Sequence, residues 1–355
     1  PEYRACVIGD TGHGGYGHNL HLVWGLHPNV EVVALADPDE AGRMKRAAES
    51  GAQRTYADYR VMLEKEQPDL VSIGPRWTVN HKQYLLDCMG VGSHGLIEKP
   101  LSVDLAEADT IIKPVEDKNL RWAIAFNFRA SPVIAHARKM LIEEGLIGDI
   151  LEIRSRGKED RRAGGEDLIV LGVHIFDMMV TFLGPPLWCS SSISVDGRPA
   201  RPEDVREASE PLGPIVGTRL QTTFGFQKGI NGYFSSMKNQ DGNGGRWGME
   251  IYGSKGVVTI RMTTVPQVFW WPQASWAPHK AGDGWKTLPG MPEVTPGQSR
   301  AWQYQPIVDD LIKSIEEKRQ PKVSLHDGRM ATEMIQAVNE SHVQGGTPVP
   351  IPLQK

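Results

Sequence analysis

The chain has 355 residues, 40% hydrophobic and 23% charged, with a formal charge of −4 at pH 7. That balance fits a globular protein of about two domains and supplies no net basic surface that nucleic acid would require. Three cysteines without CxxC spacing indicate neither a disulfide framework nor a cysteine zinc site, and 38 glycines with 25 prolines predict many tight turns without a collagen period.

Tyr3–Ile8 is an apolar run that meets a glycine cluster, followed by a helical pattern over 20–24. A buried strand is predicted at Val30–Ala36, then a charged helix at 39–50, helix Tyr59–Glu66, strand Leu70–Ile73, helix 81–89, strand 95–97, helix Leu105–Asp117 and strand 122–126. Strands alternating with helices of this length predict βαβ units and a parallel sheet. A domain boundary falls near 128–132. Beyond it come a strand at 151–156, a buried helix at 167–183, and strands at 190–195, 216–226, 230–236, 249–252 and 257–262. Such a run predicts a largely antiparallel sheet. Residues 264–297, rich in Pro, Gly and Trp without a period, predict a functional surface loop. Amphipathic helices at 302–318 and 327–342 close the chain. The apolar stretch 168–184 carries His174 and Asp177, which argues against a membrane span.

The segment from Val7 to Gly17 ends the first strand and opens the first helix. Gly12, Gly14 and Gly17 satisfy GxGxxG, and Gly9 sits at the strand end. Glycines there permit a tight turn and let backbone N–H groups approach a pyrophosphate. Asp37 ends the second strand, 20 residues after Gly17. A carboxylate there accepts from an adenosine ribose and repels a 2′-phosphate, so NAD is expected over NADP. Arg43 nearby is the residue that would accommodate a phosphate.

Glu98-Lys99-Pro100 follows a strand after Gly90-Val91-Gly92-Ser93-His94. This resembles the G-x-x-x-H-V-x-x-E-K-P signature of the Gfo/Idh/MocA oxidoreductases. His81, Asn127-Phe128-Arg129 and the closing helix extend the resemblance over nearly the whole chain. It implies a fold class of α/β, with an N-terminal Rossmann domain (1–130) and a C-terminal α/β domain (131–355) built on an open, mostly antiparallel sheet. The closing helices are free to pack back on the first domain. It also implies cofactor contacts at Gly9, Gly12, Gly14, Gly17, Asp37, His81, Glu98 and Lys99, with catalysis at the nicotinamide. Desolvation beside a cofactor favours a neutral lysine, so Lys99 is expected to bond a substrate hydroxyl or move its proton.

In the family, a second signature reads G-G-x-x-x-D-x-G-x-H-x-x-D. Here Gly172, His174 and Asp177 match, and Val170 replaces the first Asp. Valine can neither support the histidine nor approach the hydroxyl as an acid. His174 is the expected general base. Asp177 lies one turn on, where it orients the imidazole, contacts substrate or closes a surface pair. Asp167 lies seven residues before His174, about 10.5 Å along a helix axis. Lys158, Arg161 and Arg162, just upstream, are candidate clamps for hydroxyls or a carboxylate. Trp247, Trp270, Trp271, Trp276, Trp285 and Trp302 suit stacking on sugar rings or a subunit interface.

The function expected is NAD-dependent oxidation of a hydroxyl on a sugar, glycoside or polyol. Two alternatives stand beside it: a glycosidase or lyase using transient ring oxidation and elimination, and a binding protein without catalysis. No metal, nucleic-acid or membrane partner is expected. A homodimer or homotetramer through the open sheet face is expected, in the cytoplasm, or in the periplasm if a leader preceded Pro1.

Overall fold

The computed structural model describes residues 2–210, 212–238, 247–277, 280 and 283–354. The chain divides into two units: 1–127 with 210–213 and 296–332, and 128–209 with 214–295 and 333–355.

In the first unit, strands β1 (Tyr3–Ile8), β2 (Val30–Ala36), β3 (Arg54–Tyr56), β4 (Leu70–Ile73), β5 (His94–Ile97) and β6 (Trp122–Ile124) form a sheet in the order β3-β2-β1-β4-β5-β6. Every pairing is parallel. Apart from the short edge strand β3, the strands are mostly hydrophobic runs, because helices cover a parallel sheet on both faces. Val7, Leu35, Ile73, Ile97 and Trp122 are fully buried. The helices start where carboxylates meet orphan amides: Asp39 accepts from Gly42 N–H before α1 (Glu40–Ser50), Asp58 from Arg60 N–H before α2 (Tyr59–Glu66), and Asp104 from Glu107 N–H before α4 (Leu105–Asp117). Helix α3 is His81–Gly90. The chain order reverses between β1 and β4, so a crevice is expected at the carboxyl ends of those strands. Helix Gln305–Glu316 belongs to this unit.

The glycine segment departs from the strand–turn–helix expectation. Gly14, Gly15, Gly17 and Asn19 all have positive φ, which an α-helix cannot absorb. The chain therefore passes through turns into a 3₁₀ helix at Leu20–Leu26.

The second unit holds a sheet running Lys286–Thr287, Gln267–Trp271, Val257–Arg261, Gly248–Gly253, β7 (Ile150–Arg156), Asn231–Met237, Arg219–Gly225, β8 (Trp188–Val195) and Val349–Pro350. Neighbours are antiparallel except β7 with Asn231–Met237. One face is apolar: Phe224 and Phe234 meet Phe176 edge-on at 5.0 and 5.2 Å, which seats helix Val173–Leu183 on the sheet. The other face carries Ser190, Ser192, Gln221, Thr223 and Tyr233, as period-two alternation requires.

Two expectations need correction here. The expected surface loop 264–297 contains a strand, Gln267–Trp271, paired with Val257–Arg261; Pro266 and Pro272 flank it closely enough to mask its short alternation. Residues 278–279 and 281–282 of that loop lie outside the described residues. The expected continuous helix 167–183 is interrupted by a π turn, Leu168–Gly172. An extra residue per turn there rotates everything downstream relative to Asp167.

Candidate functional site

At the end of β1 the chain turns back on itself: Asp10 and Gly15 exchange backbone hydrogen bonds of 3.1 and 2.7 Å. A Cβ on Gly9 would lie 2.1 Å from the Tyr16 ring, and one on Gly14 2.5 Å from Arg76 N. Gly12 is exposed and uncrowded. Gly17 is constrained twice over: its φ is +58°, and a Cβ would lie 2.3 Å from a Glu98 carboxylate oxygen.

Glu98 itself is fully buried. It accepts from His18 N–H at 3.0 Å, meets His18 Nδ1 at 2.7 Å, and accepts from Lys99 N–H at 2.9 Å. Burial alone would push its carboxyl up. The His18 charge and hydrogen bonds, with Lys99 beside it, outweigh burial and hold it at about 2. The Glu-Lys-Pro turn is thereby locked to the far end of the glycine loop. Lys99 is 4% exposed, and its peptide bond to Pro100 is cis.

Asp37 has no exposed surface. Its Oδ1 accepts from Thr11 N–H at 3.1 Å and Asp39 N–H at 2.9 Å; its Oδ2 accepts from Thr11 Oγ1 at 2.6 Å and the Tyr16 hydroxyl at 2.7 Å. Arg43 donates to the Asp37 carbonyl at 2.7 Å. A cavity of about 460 Å³ opens beside it, lined by Gly9, Asp10, Asp37, Asp58, Asn80 and Tyr84. That cavity lies at the carboxyl ends of β1 and β2, where a strand-end glycine and acceptor carboxylates suit the adenosine end of a dinucleotide. The residues present fit NAD. His81 stands elsewhere: its ring is buried, with Nε2 2.7 Å from the Pro75 carbonyl and Nδ1 3.3 Å from that of Leu101, and burial lowers its pKa. It braces two loops.

In the second unit, His174 begins the helix that follows the π turn and is 5% exposed. Phe128 and Trp247 stand edge-on to it, with centroids at 5.0 and 5.9 Å, and meet each other at 5.2 Å. This aromatic box was not legible as one, because its members lie far apart in sequence. The buried indole N–H of Trp247 finds no acceptor among the described residues. Val170 is buried in the π turn. Asp177 is paired with Arg129 at 2.6 Å.

Asp167 receives the amides of Lys158 and Glu159 at 3.1 and 3.0 Å and the Ser236 hydroxyl at 2.6 Å. Burial raises its pKa despite these donors. It ties down the loop that carries the candidate clamp residues. Of those, Arg162 is held by Asp160 at 2.6 Å, Arg161 donates to Ser209 at 2.7 Å, and Lys158 Nζ lies 3.9 Å from Asp160. Among the described residues no His/Cys/Asp/Glu group suits a metal ion, and no helix is long and apolar enough to cross a membrane.

Comparison with known proteins places this arrangement in a class of two-part oxidoreductases. Residues 4–126 match the model described as "Oxidoreductase family, NAD-binding Rossmann fold", and residues 139–351 match "Oxidoreductase family, C-terminal alpha/beta domain". The chain belongs to the Gfo/Idh/MocA oxidoreductase family. It is 27% identical over 259 residues to a levoglucosan dehydrogenase of Pseudarthrobacter phenanthrenivorans, covering 66% of this chain and 65% of that protein. It is 24% identical over 260 residues to the myo-inositol 2-dehydrogenase of Thermotoga maritima, covering 70% and 73%. Among solved structures, a levoglucosan dehydrogenase in complex with NADH and levoglucosan superposes with a TM-score of 0.79 at 22% identity, covering 98% of this chain and 99% of that one.

Proposed function

We propose that this chain is an NAD-dependent dehydrogenase acting on a hydroxyl of a sugar, glycoside or polyol. The observation that carries the reading is His174, a nearly buried imidazole boxed by Phe128 and Trp247, beside an indole N–H that has no acceptor among the described residues. Aromatic faces suit the C–H faces of a sugar ring, and the indole donor suits one of its oxygens. The dehydrogenases named above act on levoglucosan and inositol, which are polyhydroxylated rings.

Gly9, Gly12, Gly14, Gly17 and Asp37 form the cofactor's adenosine and pyrophosphate contacts; Glu98 and His81 hold the loops around them. Bound NAD would supply the acceptor for the hydride of the alcohol carbon. The hydroxyl must shed its proton as the carbonyl forms, and a base within about 3 Å is needed. His174 and Lys99 are the groups we assign to that proton, with Lys99 carrying more of the task because Val170 leaves His174 without its family carboxylate. Lys158, Arg161, Arg162 and Asp177 order the substrate side of the second unit. Val170 also suits an eliminative reading, in which a ring hydroxyl would be oxidised, the acidified neighbouring C–H would lose its proton as the aglycone leaves, water would add across the double bond so formed in a glycosidase (or the double bond would stay in a lyase), and the hydride first removed would return to the carbonyl.

The test is nicotinamide absorbance during turnover on free sugars and their glycosides. Accumulating NADH supports net oxidation; aglycone release without net NADH supports elimination; neither sinks both. Lys99→Met is expected to cost more in kcat than His174→Ala, with NADH binding retained by each; full turnover in Lys99→Met removes the assignment. The polar sheet face, with a groove of about 740 Å³, is the proposed contact of a homodimer or homotetramer, which light scattering checks. Three buried free cysteines support residence in the reducing cytoplasm.

A further inference from the structure

A carboxylate offers about four acceptor positions, and at Asp37 the protein fills them. Tyr16 reaches its oxygen from the buried side, its ring over Gly9, and Asp39 comes from the start of α1. The remaining donors both belong to Thr11, which is exposed and lies on Asp37 from the solvent side. The fit is a made one: Gly42, in the first turn of α1, would place a Cβ 1.9 Å from Thr11 Oγ1. A glycine there leaves room for the hydroxyl.

An adenosine ribose presents an aspartate at this strand end with two neighbouring hydroxyl donors. Thr11 presents one hydroxyl and one amide to the same two oxygens. We propose that Thr11 is an internal stand-in for the ribose: cofactor must displace its hydroxyl from Asp37, so Thr11 sets the affinity for NAD(H) and its margin over NADP(H). The proposal rests on the cofactor site described above. Asp37 alone is the feature that sequence shows; the competitor for it comes from the loop two residues past Gly9. A 2′-phosphorylated ribose cannot gain in the same way, because it lacks one of the donors and meets the carboxylate with like charge.

The experiment is a fluorescence titration of the full chain with NADH and with NADPH, in the absence of sugar. Thr11→Val keeps the shape and removes the donor at an exposed position. A hydrogen bond to a charged group is worth enough that its loss as a competitor should tighten NADH binding about tenfold, with NADPH changed by less than about twofold by the same reasoning. Thr11→Ser should return the wild-type affinity. In an Asp37→Ala background, Thr11→Val should give no gain. An unchanged or weaker NADH affinity in Thr11→Val, or a gain that survives Asp37→Ala, overturns the proposal. Wild-type protein that binds neither nucleotide overturns the cofactor site itself, and circular dichroism shows whether each variant is folded.

Discussion

Replacing Glu98 by Gln tests whether the Glu-Lys-Pro turn is a brace for the glycine loop. The side chain keeps its size, so the tight contact with Gly17 is undisturbed. What changes is charge and acceptor count. The carboxylate takes two donors from His18 on one oxygen and the Lys99 amide on the other; a glutamine amide must turn an NH₂ toward one of them. The folded carboxyl sits at about 2 against an ordinary value of 4.5. By linkage, that gap corresponds to about 3 kcal/mol of stability at neutral pH. The sign follows from the lowered value: this contribution is complete above about 4.5, since the unfolded carboxyl is then ionised too, and is lost as pH falls through about 2. Urea unfolding at pH 7 should therefore place Glu98→Gln about 3 kcal/mol below wild type, and the two should converge in acid. A deficit under about 1 kcal/mol at pH 7, or a gap that stays constant down to pH 2, would refute the brace.

Gly157→Ala would set a Cβ 1.9 Å from Asp167 Oδ2, so the loop over 157–164 must lift and leave a buried carboxylate short of donors; denaturation should show a loss of about 2–3 kcal/mol. Arg129→Met removes the cation held 2.6 Å from buried Asp177, and thermal unfolding should report about 3–5 kcal/mol of destabilisation; a neutral result would mean that the pair is not desolvated. Burial lowers the pKa of His21, so the folded chain holds fewer protons than the unfolded one just below pH 6.5. Its contribution is complete above 6.5 and falls with pH below it, and His21→Gln should flatten the stability profile between pH 7 and 5.5.

The first unit was legible because its signals are local. Buried parallel strands are continuous apolar runs, and Asp39, Asp58 and Asp104 mark helix starts by capping chemistry. Strand β3 escaped because two exposed residues and a half-buried one carry no period. In the second unit, Gln267–Trp271 was hidden by prolines on either side. The π turn at Leu168–Gly172 was hidden for a different reason: an extra residue in a buried apolar helix changes which face each side chain occupies without changing the composition. Asp167, counted forward along an ideal helix, is a remote neighbour of His174. In the structure it organises the Lys158–Glu159 backbone instead, and Gly157 is a glycine because the carboxylate fills the space where its side chain would be.

For the site, sequence named candidate residues and could not name their partners. Asp37 sits where a ribose acceptor belongs, but whether its oxygens are open depends on Thr11 and Tyr16, which reach it only after the glycine loop has folded back through Gly14 and Gly15. His174 is marked by its motif, whereas Phe128 and Trp247 come from segments 46 and 73 residues away in numbering and meet only when the sheet and its helix pack. Glu98 shows both limits at once. As one letter beside Lys99 it reads as a cofactor contact or a surface pair. Its burial against Gly17 and His18 makes it the link through which the glycine loop and the Lys99 turn keep a common geometry. A change at either end should therefore be felt at the other, and Gly17→Ala is expected to reproduce the lost stability of Glu98→Gln in urea unfolding at pH 7, and to weaken NADH binding in a fluorescence titration.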